Sequence, residues 1–147
     1  MDNNFKRELM IDNFENPFHK EIKDEKEFIK ANTHNESCID NIDLYVKVVD
    51  DVIVDAYFNG EACAITTSAT SIMLKNIIGK TREEARLLMK EYFSMIEEEE
   101  FNQEKLGELL IYQDISRQPS RKKCATLPFQ TLEKTLKIYE EGGSNEK

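Results

Sequence analysis

The clearest alternation of apolar and polar positions lies a little before the middle of the chain. Every second residue of segment 42–48 is apolar, and this period of two predicts a strand with one buried face. Residues 50–51 supply a turn, and the β-branched and aromatic segment 52–58 predicts a second strand that ends at residues 59–60. The pair forms a hairpin, and a third short strand is expected over residues 62–65.

Apolar residues at helical spacing predict helices on both sides of this hairpin. A short amphipathic helix is expected over residues 5–14, and Asn16 and Pro17 end it. After the hairpin, Thr66, Thr67 and Ser68 offer N-cap side chains for a helix that ends at Gly79.

The second half of the chain has a helical pattern throughout. Thr81 and Glu84 have the spacing of a capping box, which opens a helix with one apolar stripe. A shorter helix is expected around residues 106–111 and a final helix over about 119–139. Pro128 within the final helix implies a kink or a break.

Length and composition favour one folded unit. The chain has 147 residues, 39% of them hydrophobic and 33% charged, which suits one hydrophobic core under a well-solvated surface. Together with the element pattern, this predicts an α+β fold in which a small antiparallel sheet of about three strands is packed by helices. A single domain is expected over residues 1–147, with a frayed tail over about 142–147.

The charge balance limits the classes of partner. A net charge of -9 disfavours nucleic acid, because binding to phosphates depends on Lys and Arg. The acidity suits a protein partner with a basic surface, or it serves solubility alone. The sequence shows neither the apolar segment of a signal peptide nor a run of about 18 apolar residues that could span a membrane. The protein is therefore expected in the cytoplasm.

Three cysteines are the candidates for chemistry. Cys38 follows residues 32–37, which are rich in turn formers and place it on a polar loop. Cys63 follows the turn at Gly60, and Cys124 lies near the start of the final helix. An odd number of cysteines in a reducing compartment argues against a disulfide framework. Without a CxxC motif the zinc signal is weak, and Cys63 and Cys124 could equally be small buried apolar residues.

Asp40 lies two residues beyond Cys38, so on an extended chain both side chains share one face and could bind one metal ion. The alternative is a local hydrogen bond at the entry to the strand. His19 and His34, the remaining possible ligands, are on polar segments that favour exposure to solvent. The basic residues 121–123 would lower the pKa of the Cys124 thiol, unless they form a solvated basic face.

An ordered set of motifs covers nearly the whole chain, from about residue 16 to residue 136. Through these motifs the chain resembles the SufU branch of the IscU/NifU-like sulfur-assembly proteins. The motifs are NP at 16–17, SCID at 37–40, LYVKV at 44–48, GEACAI at 60–65, SATSIM at 68–73 and RKKCATL at 121–127.

Two features favour the SufU branch over the IscU scaffold branch. Lys123 stands where IscU-like chains usually have a histidine, and the stretch around residues 97–115 looks like the insertion of SufU-like chains. The chain also departs from the family, because Glu36 and Ile39 replace the usual proline and glycine around the first cysteine. The β-branched Ile39 should stiffen the loop of Cys38.

The resemblance implies a zinc site with Cys38, Asp40, Cys63 and Cys124 as ligands. It also implies that Cys38 accepts sulfur from a pyridoxal-phosphate cysteine desulfurase of the SufS type, for delivery to downstream iron–sulfur assembly proteins. Arg121 matches a family arginine and is assigned a supporting role at the site or interface. Two alternatives stay open: a scaffold that binds an iron–sulfur cluster transiently, and a zinc-folded module that activates a partner allosterically.

Overall fold

A three-stranded antiparallel sheet forms one layer of the fold. In the computed structural model, which describes residues 1–36 and 39–142, the strands are β1 (Ile29–His34), β2 (Asn41–Val49) and β3 (Val52–Glu61), in the order β1-β2-β3. The hairpin of β2 and β3 confirms the prediction from the alternating pattern. Its turn residues, Asp50 and Asp51, both have positive φ.

The third strand was predicted in the wrong place. It is β1 (Ile29–His34) and not residues 62–65, so residues 32–34 belong to a strand and not to a loop. Only Ile29 and Ala31 of β1 are buried apolar side chains, an alternation too short to indicate a strand. Pairing with β2, from Ile29 opposite Val46 to His34 opposite Asn41, stabilises this segment.

Helices pack around the sheet and around one another. The second helix is the most enclosed, because every residue from position 65 to position 74 is buried. It lies against α1 and the last helix, and it also contacts β3 and the 3-10 helix. The helices are α1 (Asn3–Glu15), α2 (Ala64–Ile77), α3 (Arg82–Ile96), α4 (Gln103–Leu106), a 3-10 helix (Gly107–Arg117) and α5 (Pro119–Glu140).

Local sequence signals placed most helix ends correctly. Thr81 and Glu84 form the capping box of α3, and Asn16 is the C-cap of α1. The start of α2 was predicted too late, because its N-cap is Cys63 and not one of the hydroxyl residues from Thr66 onward. The helix α5 continues through Pro128.

Buried polar side chains fix how α2 sits among its neighbours. Ser71 Oγ donates to Asn13 Oδ1 of α1 at 2.7 Å, and the Ser68 and Tyr112 hydroxyls are 2.5 Å apart. These bonds tie α2 to α1 and to the 3-10 helix at defined rotations, which also orients the residues at the start of α2. Among the described residues, no helix is long and apolar enough to cross a membrane.

Candidate metal centre

Cys63 lies at the junction of β3 and α2. As the N-cap of α2 it has an extended backbone, and its Sγ accepts the backbone N–H of Thr66 at 3.5 Å. The N-terminus of a helix favours a negatively charged group near it. The residue is half-buried and packs against the hydrophobic core.

Asp40 immediately precedes β2 and is 1% exposed. Its Oδ1 accepts the backbone N–H of Cys63 at 2.8 Å, and its Oδ2 accepts the Thr66 hydroxyl at 2.5 Å. Burial opposes ionisation of this carboxyl group, but the hydrogen bonds from Thr66, Cys63 and Cys124 outweigh it and lower the pKa of Asp40. The site therefore contains a buried, ionised carboxylate.

Cys124 lies in the second turn of α5 and is buried. Burial, followed by the proximity of Cys63 and Asp40, raises the pKa of the Cys124 thiol well above its usual value. Of the two alternatives for the basic residues 121–123, the structure favours the solvated basic face. Arg121 and Lys123 are exposed to solvent, and Lys122 is 3.5 Å from Glu97, so these charges are directed away from the thiol.

The fold brings these three side chains together at one point. The ligand atoms of Asp40, Cys63 and Cys124 all lie within 4.8 Å of one another, and Cys63 Sγ is 3.9 Å from Asp40 Oδ2. Zinc–ligand bonds of about 2.0–2.3 Å in a tetrahedron put neighbouring ligand atoms roughly 3.5–3.8 Å apart. The three groups therefore need to approach by only about 1 Å to bind one ion.

The donor set fits zinc. Two cysteine sulfurs and a carboxylate oxygen are ligands that zinc prefers, and a structural zinc site takes four ligands. Three donors from the described residues leave one position for a further ligand. Asp40, Cys63 and Cys124 are three of the four ligands that the resemblance implies.

The other predicted site residues lie apart from this cluster or outside the described part of the chain. Cys38 lies outside the described residues. Arg121 is exposed, three residues before Cys124. His19 stacks between two aromatic rings and its Nδ1 is 2.9 Å from the Ala56 oxygen, whereas His34 is exposed. Neither histidine belongs to the cluster of possible ligands found among the described residues.

Thr66 is the part of the site that sequence reasoning missed. It was interpreted as an N-cap, whereas it is the third residue of α2 and its hydroxyl contacts Asp40. The spacing of Cys63 and Thr66 is the N-cap spacing with a cysteine in place of the usual Ser, Thr, Asp or Asn. That spacing could have indicated Cys63 as the N-cap of α2, but no local pattern indicated the contact between Thr66 and Asp40.

Comparison with known proteins identifies the family. The sequence matches the NifU-like N-terminal domain over residues 5–141. The chain belongs to the NifU-like family. It is 34% identical to the zinc-dependent sulfurtransferase SufU of Bacillus subtilis, over 94% of this chain and 92% of that protein.

Two further relatives carry the names of assembly scaffolds. The iron–sulfur cluster assembly scaffold protein IscU of Thermotoga maritima is 42% identical over 70% of this chain and 72% of that protein. The crystal structure of FiSufU from Fervidobacterium islandicum, assigned to the SUF system as an assembly scaffold, superposes with a TM-score of 0.77. It is 36% identical and covers 86% of this chain and 92% of that protein.

These relatives confirm the resemblance to SufU and IscU proteins and the α+β fold predicted from the sequence. They also bear out the link to iron–sulfur assembly. The prediction of a zinc centre is supported by the zinc dependence in the name of the Bacillus subtilis relative. It is also supported by the donor set of this NifU-like chain, Asp40, Cys63 and Cys124.

Proposed function

We propose that this NifU-like protein accepts and transfers sulfur for iron–sulfur cluster assembly, in the cytoplasm, through a zinc-dependent site. The observation that carries the proposal is the convergence of Asp40, Cys63 and Cys124 within 4.8 Å on three separate elements. Cys38, two residues before Asp40 in the sequence, is the fourth ligand in this proposal. Residues 1–147 act as one domain.

The sulfur donor in this proposal is a pyridoxal-phosphate cysteine desulfurase of the SufS type, which holds sulfur as a persulfide on its own cysteine. The Cys38 thiolate attacks the outer sulfur of that persulfide. A new S–S bond forms at Cys38 Sγ, the S–S bond of the desulfurase breaks, and the desulfurase thiolate leaves with the electron pair. The exchange involves no net oxidation or reduction, so it needs no further reactant.

The protein's own residues prepare this reaction. The buried carboxylate of Asp40 and the helix N-terminus at Cys63 provide one anionic ligand and one position that favours a second. A bound zinc ion would keep the thiols deprotonated, and it is redox-inert. Cys63 and Cys124 hold the site together while the Cys38 thiolate reacts, because both are anchored in helices.

In this proposal, an open cavity lined by residues of β1 and α5 receives the partner. It has a volume of about 640 Å³ and lies between the end of β1 and α5, where His34, Glu36, Lys123 and Leu127 are among its lining residues. Glu36 is two residues from Cys38 in the sequence, and in this proposal a loop of the desulfurase enters this cavity. Arg121, exposed on α5, has a supporting role in binding the partner or the anionic persulfide.

Metal content and desulfurase stimulation test the proposal. Freshly purified protein should contain one zinc per chain, and Asp40→Ala or Cys124→Ser should lose most of it. Cys38→Ser should fold but abolish both the stimulation of a SufS-type desulfurase and the gain of one sulfur atom in mass. Ser37→Ala, a change of similar size at the neighbouring residue, is the control and should stimulate normally. Normal stimulation by Cys38→Ser would refute the role of Cys38.

A scaffold that builds an iron–sulfur cluster on the same ligands is the second candidate. Identity of 42% to the scaffold protein of Thermotoga maritima favours it. Lys123 weighs against it, because a protonated lysine has no lone pair with which to replace a histidine ligand. Iron instead of zinc in the purified protein, and transfer of a reconstituted cluster to an apo target, would establish the scaffold function.

A further inference from the structure

Thr66 contacts all three ligand residues that the structure describes. Its Oγ1 lies 2.5 Å from Asp40 Oδ2 and 3.1 Å from the backbone oxygen of Cys124. Its backbone N–H donates to Cys63 Sγ at 3.5 Å. The residue is completely buried, so water does not compete for its hydroxyl group. One side chain therefore links the strand entry, α2 and α5 at the metal centre.

The single hydroxyl proton of Thr66 has three possible acceptors: Asp40 Oδ2 at 2.5 Å, the Cys124 carbonyl oxygen at 3.1 Å and Cys63 Sγ at 3.5 Å. Asp40 is the strongest of them, because its oxygen is the closest and carries a negative charge. The carbonyl oxygen of Cys124 can accept this proton because Pro128, four residues later in α5, has no N–H to donate to it. Pro128 thus leaves an acceptor on α5 for the Thr66 hydroxyl of α2.

The hydrogen bonds to Asp40 define the orientation of its carboxylate. The Cys63 N–H binds Oδ1 at 2.8 Å, and the Thr66 hydroxyl binds Oδ2. Two donors in rigid elements, one on each oxygen, fix the rotation of the carboxylate plane. Each oxygen keeps a further lone pair with which it can bind a cation. Without the Thr66 hydroxyl, Oδ2 loses its shortest hydrogen bond, and the carboxylate plane is held mainly through Oδ1.

We propose that Thr66 is a positioning residue of the metal centre, whose hydroxyl holds the Asp40 carboxylate toward the two cysteine sulfurs and so strengthens zinc binding. The inference rests on the metal site of the proposed function and is independent of sulfur transfer. Partners of metal ligands contribute about 10–100-fold to metal affinity in well-studied sites. Loss of the hydroxyl should weaken zinc binding by a factor in this range.

Zinc affinity of matched threonine variants tests the inference. Thr66→Val keeps the shape of the side chain and removes the hydroxyl, and Thr66→Ser keeps the hydroxyl. Thr70→Val is the control, because Thr70 is equally buried, one turn further along α2, and donates to the Thr66 carbonyl at 2.7 Å. Each full-length variant is titrated with zinc against a chromophoric chelator, and the visible spectrum of the cobalt form reports ligand geometry.

Thr66→Val should bind zinc about 10–100-fold more weakly and shift the cobalt spectrum, whereas Thr66→Ser and Thr70→Val should match the wild type. In an Asp40→Ala background, Thr66→Val should have no further effect, because the hydroxyl acts through that carboxylate. Wild-type affinity in Thr66→Val would overturn the inference. If that variant does not fold, an affinity loss in Thr66→Ser would overturn it instead. Absence of zinc binding in the wild type would overturn the proposed metal site itself.

Discussion

Gly60 lies at the end of β3, where a side chain would collide with the strand that follows Asp40. It has φ +129°, and a Cβ atom on it would be 2.1 Å from the Asn41 carbonyl oxygen and 3.0 Å from the Ile42 Cα. Because Cβ contacts below 3.0 Å are essentially never found, Gly60→Ala must move the backbone of residue 60 or of Asn41 until this distance has grown by at least 0.9 Å. Asn41 is bonded directly to Asp40, so the displacement reaches the metal centre.

The loss of folding stability in Gly60→Ala has two contributions. A non-glycine residue at such a φ costs about 1–3 kcal/mol, and forcing atoms into a well-packed region costs about 1–3 kcal/mol more. We therefore expect the free energy of unfolding to fall by about 2–6 kcal/mol. This is less than the stability of many domains, so the variant should still fold. A misplaced Asp40 should also weaken zinc binding, because ligand positions tolerate only about 0.5 Å.

Gly79→Ala separates the two parts of this cost. Gly79 also has a positive φ, +94°, but a Cβ there meets nothing within 4 Å, so only the backbone strain remains. Urea unfolding of metal-free protein should show the larger loss for Gly60→Ala, and zinc titration should show weakened binding in that variant alone. Equal stability losses and equal zinc affinities in the two variants would refute the reasoning.

Three further perturbations test other parts of the fold. Ser68→Ala should lower the free energy of unfolding by about 1–3 kcal/mol, because it leaves the buried Tyr112 hydroxyl without its hydrogen-bond partner. Tyr112→Phe should lower it less in the same urea assay, because Ser68 still donates to a helix carbonyl. Equal losses in the two variants would contradict this. Hydrogen bonds from Arg86 lower the pKa of Glu140 from its usual 4.5, so the stabilisation is present above that pH and is lost as the pH falls below it. Glu140→Gln should therefore lower stability by at most about 1 kcal/mol at neutral pH, and a difference that does not shrink as the pH falls below 4.5 would argue against the ion pair. Zinc added at 100 times its Kd should raise the unfolding free energy of metal-free protein by about 2.7 kcal/mol, and an unchanged melting temperature would exclude a site that forms on folding.

The elements predicted correctly are those with strong local signals. The hairpin of β2 and β3 has an alternating pattern over many residues, and α3 has a capping box at Thr81. The strand β1 was missed because its own sequence is mostly polar, and its place depends on hydrogen bonds to β2. The start of α2 was misplaced because three hydroxyl residues compete with Cys63 as the cap, and packing decides between them.

In the candidate site too, local sequence indicated some features and only the packing decided others. The family resemblance implied Asp40, Cys63 and Cys124 as ligands, and the fold brings their ligand atoms within 4.8 Å of one another. The sequence left open whether residues 121–123 lower the pKa of Cys124 or form a solvated basic face; Arg121 and Lys123 are exposed, and burial raises the pKa of the thiol. Thr66 was interpreted as a cap, because its contact with Asp40 joins residues 26 positions apart.

The sequence by itself determined which chemical groups are available, where the hairpin and most helices lie, and which family the motifs resemble. Those properties depend on side-chain type and on spacing within a few residues. Only the tertiary structure decided that a strand entry, a helix N-terminus and the second turn of α5 meet around one point, and which hydroxyl group holds the carboxylate there. Such contacts depend on how the elements pack, and no local pattern encodes the distance between residues that are far apart in the chain.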